Sequence, residues 1–229
     1  MKKIFILVVG LMLSTLLAKA QNYNRDNLSC LPIKIALAEP SHNPFVFEVG
    51  IGSTAPAPDH ITFMGNPVRG TLSKFVKRME REGFKNPIIK DGWATLEGGT
   101  FAGLEGCDLT IYALGKKSPV YSVCVRFASQ RTWETLYYNY IYLKLMLTKK
   151  YGEPALCIED NVDSLGGDKE IFEALKSGKA VYISTYKIPE GTIVLCIESL
   201  GYRKQTFVTL TYTDQKNSES TRVDFEDDL

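Results

Sequence analysis

"YYNYIYLKLMLTKKYGEP", residues 137–154, places tyrosines and aliphatic side chains at helical spacing and closes on a basic turn, a glycine and a proline. Taken at about 100° per residue from Trp133, the positions Trp133, Leu136, Tyr137, Tyr140, Leu143, Leu147 and Tyr151 share one stripe, the face a helix turns to a core. Tyr138, Ile141 and Leu145 lie beside that stripe. Tyr142 and Met146 stray into the sector that holds Thr135, Asn139, Lys149 and Lys150. A helix covering a sheet needs only one apolar face, so the flank Tyr138, Ile141, Tyr142 and Leu145 is either buried by another part of the chain or is a binding surface. Burial is the favoured reading, because exposed apolar patches of this size are unusual on monomers. The expected cover is "CLPIKIALAEPSHNPFVFEVGIG", residues 30–52, which carries an apolar run of its own.

Upstream of this helix, "TLSKFVKRMEREGF" sets Leu72, Phe75, Val76 and Met79 at i, i+3, i+4 and i+7, and Gly83 follows its last basic turn as a C-cap. Three alternating segments come next, "WATLEG", "GCDLTIYAL" and "VYSVCVRFA", with Gly98-Gly99 and "GKKSP" between them. In the third, Tyr121, Val123, Val125 and Phe127 fall on one side and Ser122, Cys124 and Arg126 on the other. Downstream, Ile171, Phe172 and Leu175 predict a short helix closed by Gly178, followed by the strands "AVYISTYK", "GTIVLCIES" and "QTFVTLTYT". The expected fold is α+β. Two tandem helix-plus-three-strand units, about 61–128 and 129–215, form an antiparallel sheet with helices on one face, and 216–229 is an acidic tail.

The first twenty residues, "MKKIFILVVGLMLSTLLAKA", have the charged start, the apolar run from Ile4 to Leu17 and the small-x-small ending of a signal peptide. The run is shorter than the roughly 20 residues of a bilayer span, so no membrane span is expected after cleavage near Ala20. The mature chain is then periplasmic or secreted, with residues 21–60 as a proline-rich arm. Losing Lys2, Lys3 and Lys19 leaves 24 basic against 26 acidic residues, which excludes the basic footprint of a nucleic-acid binder. Five cysteines, Cys30, Cys107, Cys124, Cys157 and Cys196, are an odd number without CxxC spacing; Cys124 and Cys196 read as small buried strand residues.

The segments "ITFMGNPVRGTLSKFVKRMEREGF", "GGTFAGLEGCDLTIYA", "LTKKYGEP", "VTLTYTDQKNSE" and the closing "DFEDDL" resemble a functionally uncharacterised group of secreted proteins of gut-type Bacteroidetes bacteria. The resemblance spans residues 60–229 and implies an envelope location. Its motifs are structural and supply no catalytic residue.

Motifs of chemistry fail on context. Gly50-x-Gly52-x-x-Ala55 has a dinucleotide-fingerprint outline, but Pro56 and Pro58 stand where a phosphate-binding helix should open. Ser184-Thr185-Tyr186-Lys187 matches SxxK on a strand, where serine and lysine point to opposite faces. His42 and His60 belong to the arm and read as solvated. In "EDNVDSLGGD", Asp160, Asp163 and Asp168 could wrap a calcium ion through hard oxygen ligands, although the spacing departs from the EF-hand pattern; a solvated loop is the plainer reading. No cofactor is expected. The expected function is an exported, non-catalytic module binding a protein, peptide or glycan of the cell envelope, through the sheet face or the helix flank. A hydrolase with scattered carboxylates, such as Glu97 and Glu105, is the alternative.

Overall fold

The computed structural model describes residues 59–115, 117–160, 162, 165–200 and 205–218. In chain order the elements are β1 (Thr62–Phe63), β2 (Asn66–Pro67), α1 (Leu72–Arg81), β3 (Lys85–Ile89), β4 (Trp93–Phe101), β5 (Leu104–Ala113), β6 (Val120–Arg126), α2 (Trp133–Tyr151), β7 (Leu156–Glu159), α3 (Asp168–Lys176), β8 (Tyr182–Ile188), β9 (Gly191–Leu200) and β10 (Gln205–Asp214). A helical turn follows at residues 215–218. β1 and β2 pair with each other, and the other eight strands make one antiparallel sheet in the order β3-β4-β5-β6-β10-β9-β8-β7. The expected class, α+β with an antiparallel sheet, is the observed one. The strand count differs: α1 and α2 are each followed by four strands, not three.

The additional strands are the two sheet edges. β3, "KNPII", does not alternate; Pro87 has no N–H to donate, Asn86 sits at φ 54°, and all five residues are exposed. β7 is four residues squeezed between Pro154 and the acidic loop. Both are short or interrupted, as edge strands commonly are.

Helices α1, α2 and α3 bury their apolar faces in one core. Leu72, Phe75, Val76 and Met79 of α1, Leu136, Tyr140, Leu143 and Leu147 of α2 and Ile171 of α3 pack with Leu96, Leu109, Val125, Leu195 and Leu210 of the sheet. Each such side chain contributes about 1.5–3 kcal/mol on leaving water. The helices therefore cover the same face. α1 ends as its sequence predicts: Gly83 at φ 100° lets its N–H reach the Glu80 carbonyl and the Phe84 N–H reach that of Met79, while the two apolar side chains Phe84 and Met79 are both buried. α2 is capped at its start by Thr132, whose side chain accepts from the Thr135 N–H, and at its end by Gly152, φ 83°. Trp133, Tyr137 and Tyr151 are only partly buried, and Asn139, expected toward solvent, is buried.

Two local expectations are corrected. Gly98-Gly99 does not separate strands; β4 runs through both to Phe101, and the turn is Ala102-Gly103, with φ 51° and 79°, the positive pair of a two-residue hairpin. Gly99 instead lies beneath the Phe84 ring, where a Cβ would come within 2.3 Å of the ring carbons. Tyr121 does not share a face with Val123. Tyr112 pairs with Ser122 and Ala113 with Val120, so Tyr121 is the extra residue of a bulge: Val120 takes the core position and the Tyr121 ring lies 6.4 Å from that of Tyr112.

The ends of the domain meet at Asp214, whose side chain is fully buried. Its carboxylate accepts from the N–H groups of Ile61 and Asn217 at 3.0 and 2.9 Å, and lies 3.1 Å from His60 Nδ1. The Asn217 amide then donates to the carbonyls of Val68 and Val120. His60 is thus part of the fold, contrary to its expected solvation. His42 lies outside the described residues.

Candidate functional site

With the helices on one side, strand parity assigns the other face. The central row crosses all eight strands as Ile88, Thr95, Thr110, Cys124, Thr211, Val194, Thr185 and Leu156. Beside it runs Trp93, Tyr112, Ser122, Thr213, Thr192 and Lys187, and on the other side Asp108, Arg126, Thr209, Cys196, Ile183 and Ile158. Neighbouring positions in a row are about 5 Å apart. Among the described residues no helix lies over this face.

The face divides in two. Trp93, Tyr112 and the bulged Tyr121 form a half-exposed aromatic end on β4, β5 and β6. Toward the other end charged side chains cap small buried ones: Arg126 pairs with Asp108 at 2.6 Å and lies over the Phe207 ring, and Glu198 Oε1 stands 3.1 Å from Thr209 Oγ1 and 3.4 Å from Cys196 Sγ. Burial, then the negative charge of Glu198, pushes the Cys124 thiol up to about 12 and the Cys196 thiol well above its usual range. Burial likewise raises the Tyr112 and Tyr121 hydroxyls. These groups are neutral near pH 7, so the middle of the face offers hydroxyls, thiols and rings rather than charge. The aromatic and threonine pattern was legible in the alternation of "CDLTIYA" and "TLTYT", but only the fold tells which side the helices leave uncovered.

The predicted flank of α2 is partly tied down. Tyr138 is 67% exposed and Leu145 55%, whereas Ile141 and Tyr142 are half-buried. The Tyr142 hydroxyl donates to the Ala102 carbonyl at the β4–β5 turn, 3.1 Å, and the Tyr138 ring stacks on that of Tyr142. Next to this contact a groove of about 260 Å³ is bordered by Met64, Phe101, Ala102, Met146 and Lys150. A second cavity of about 210 Å³ lies at His60, Lys150 and Glu190. Neither brings two carboxylates together, and Glu97 and Glu105 line neither.

The carboxylates of the acidic loop accept from backbone N–H groups outside the loop. Asp160 Oδ2 accepts from the Val181 N–H at 2.7 Å, and the Asp160 carbonyl takes the Tyr182 hydroxyl. Asp168 Oδ1 accepts from the Trp133 N–H at the start of α2, 3.0 Å. The two carboxylates serve different donors, while Asp163 lies outside the described residues. Among the described residues no group of three His, Cys, Asp or Glu side chains could hold a metal ion.

Sequence reasoning missed one cluster altogether. Lys144 of α2, with Cys157 and Glu159 of β7 and Ser184 of β8, forms a polar group between helix and sheet edge. These residues belong to three elements, and Ser184 alone falls in a motif, the SxxK match that fails on its strand. In comparisons with protein-family models, curated proteins and solved structures, the chain matches none.

Proposed function

We propose that this chain is an exported, non-catalytic binding module of the bacterial cell envelope, which takes a protein, peptide or glycan on the sheet face opposite its helices. The observation that carries the reading is that face itself: eight strands wide, with Trp93, Tyr112 and Tyr121 at one end and threonines through its middle. Aromatic rings with hydroxyls beside them supply contact area at low cost in side-chain entropy, the usual chemistry of a recognition surface. Export rests on residues 1–20, read as a cleaved signal peptide. Among the described residues no helix is long and apolar enough to cross a membrane.

The sheet order also supports a tandem origin. Residues of about 61–128 and 129–215 each place four strands of the sheet after a helix, with β1 and β2 ahead of α1 in the first and α3 between β7 and β8 in the second, and the two halves of the sheet meet last strand to last strand, β6 against β10. Joining two such units doubles the width of one continuous face.

The test is a pull-down from envelope extract with the mature protein. Trp93→Ala with Tyr112→Ala should abolish recovery of the partner, and Tyr138→Ala with Leu145→Ala should leave it. Loss with the second pair alone would move the site to the helix flank.

A further inference from the structure

β4 and β5 set two pairs of side chains on the face away from the helices, Trp93 with Tyr112 and Thr95 with Thr110. The Ala113 N–H donates to the Gly92 carbonyl at 2.8 Å, so 92 and 113 are a hydrogen-bonded pair. By alternation both side-chain pairs are of the closer, non-hydrogen-bonded kind, with Cα atoms about 4.5 Å apart. Along each strand the ring and the hydroxyl are two residues, or about 7 Å, apart. On β6 the bulged Tyr121 sets its ring 6.4 Å from that of Tyr112, with 34° between their planes. Three rings on adjacent strands thus stand beside two hydroxyls, and all five side chains are half-exposed. Threonine is stiff at χ1, so its hydroxyl loses little freedom when a ligand binds. Among the described residues the Thr95 and Thr110 hydroxyls make no hydrogen bond.

This chemistry selects the ligand. Charge enters the patch only at its rim, at the turn Lys90-Asp91 ahead of Trp93. A hydroxyl both donates and accepts, which suits a ligand built of hydroxyls, and an aromatic face suits apolar C–H surface. A sugar ring carries both, C–H groups on its faces and hydroxyls around its rim. A protein partner is the poorer match, because serine and threonine are under-represented among the residues that carry protein–protein binding. An extended peptide is also poorer, since it takes its main-chain bonds from the edge of a sheet and not from its face.

We propose that the ligand of this face is a glycan, an inference that rests on the sheet-face reading above. A sugar ring sets its C–H face against the aromatic end and turns its hydroxyls to Thr95 and Thr110. The chain of sugars then continues across β5 and β6 past Tyr121.

The test offers envelope extract to the immobilised mature protein in three portions: untreated, digested with proteinase K and then heated, and oxidised with periodate, which cleaves vicinal diols. Carbohydrate in the eluate is assayed. It should survive digestion and be lost after oxidation. Trp93→Ala should lower recovery about tenfold, the size of a central aromatic contact. Thr95→Val with Thr110→Val, which removes two hydroxyls at constant shape and keeps strand-favouring residues, should lower it by a similar factor, about tenfold. Recovery that is destroyed by proteinase, or that is indifferent to periodate, would overturn the glycan; if Trp93→Ala still abolishes it, the sheet-face reading stands with a different ligand. Recovery unchanged in every face variant would overturn both.

Discussion

Leu147 and Leu145 stand two residues apart on α2, one 6% and the other 55% exposed, and this contrast separates core from flank at the scale of single residues. Leu147→Ala should cost about 2–5 kcal/mol, because it removes buried methyl groups and leaves a cavity. Leu145→Ala should change stability by no more than about 0.5 kcal/mol. Urea melts of the two variants check the pair; equal losses would mean that the helix is rotated or that its flank is covered. Asp214 is the more consequential residue. Asp214→Ala would leave the N–H groups of Ile61 and Asn217 without their acceptor in a buried site, so the loss should reach about 3 kcal/mol. The same melt measures it, and a loss under about 1 kcal/mol would show that the ends of the domain are held together by other contacts.

Elements in this fold are decided partly by patterns visible in the chain and partly by contacts between segments. α1 was legible to its cap, since a stripe of four apolar residues and a following glycine suffice to specify a helix with one buried face. α2 was legible as a helix with its core stripe, and β8, β9 and β10 by alternation. What failed has a common cause. β3 contains a proline and a left-handed asparagine, β7 is four residues long, and the Tyr121 bulge slips the pattern by one; each is fixed by its neighbour in the sheet rather than by its own periodicity. Gly98-Gly99 departs from the expected strand break for the same reason, because the space for Gly99 is set by Phe84, fifteen residues earlier. Gly99→Ala should therefore cost about 1–3 kcal/mol by overpacking against that ring, and the cost should shrink in a Phe84→Leu background. A double-mutant cycle by thermal melts reads the coupling. The candidate face follows the same rule. Its residues alternate visibly in the strands, yet which side is uncovered depends on where α1, α2 and α3 dock.

At the scale of the whole molecule, one sheet has a face packed by helices and a face that no described helix covers, and the functional proposal rests on that asymmetry. Export is the first claim to check at this scale: N-terminal sequencing of the exported protein should read Gln21-Asn22-Tyr23, and a product retaining residues 1–20 would contradict a cleaved signal peptide. The binding claim has a direct optical test, because the chain has two tryptophans, Trp93 on the proposed face and Trp133 at the start of α2. In a Trp133→Phe variant Trp93 is the sole tryptophan. Titrating this variant with the envelope fraction that the parent protein retains should shift and saturate the Trp93 emission, as the ring loses contact with water on binding. Retention of the partner with Trp93 emission unchanged throughout the titration would contradict binding on the sheet face.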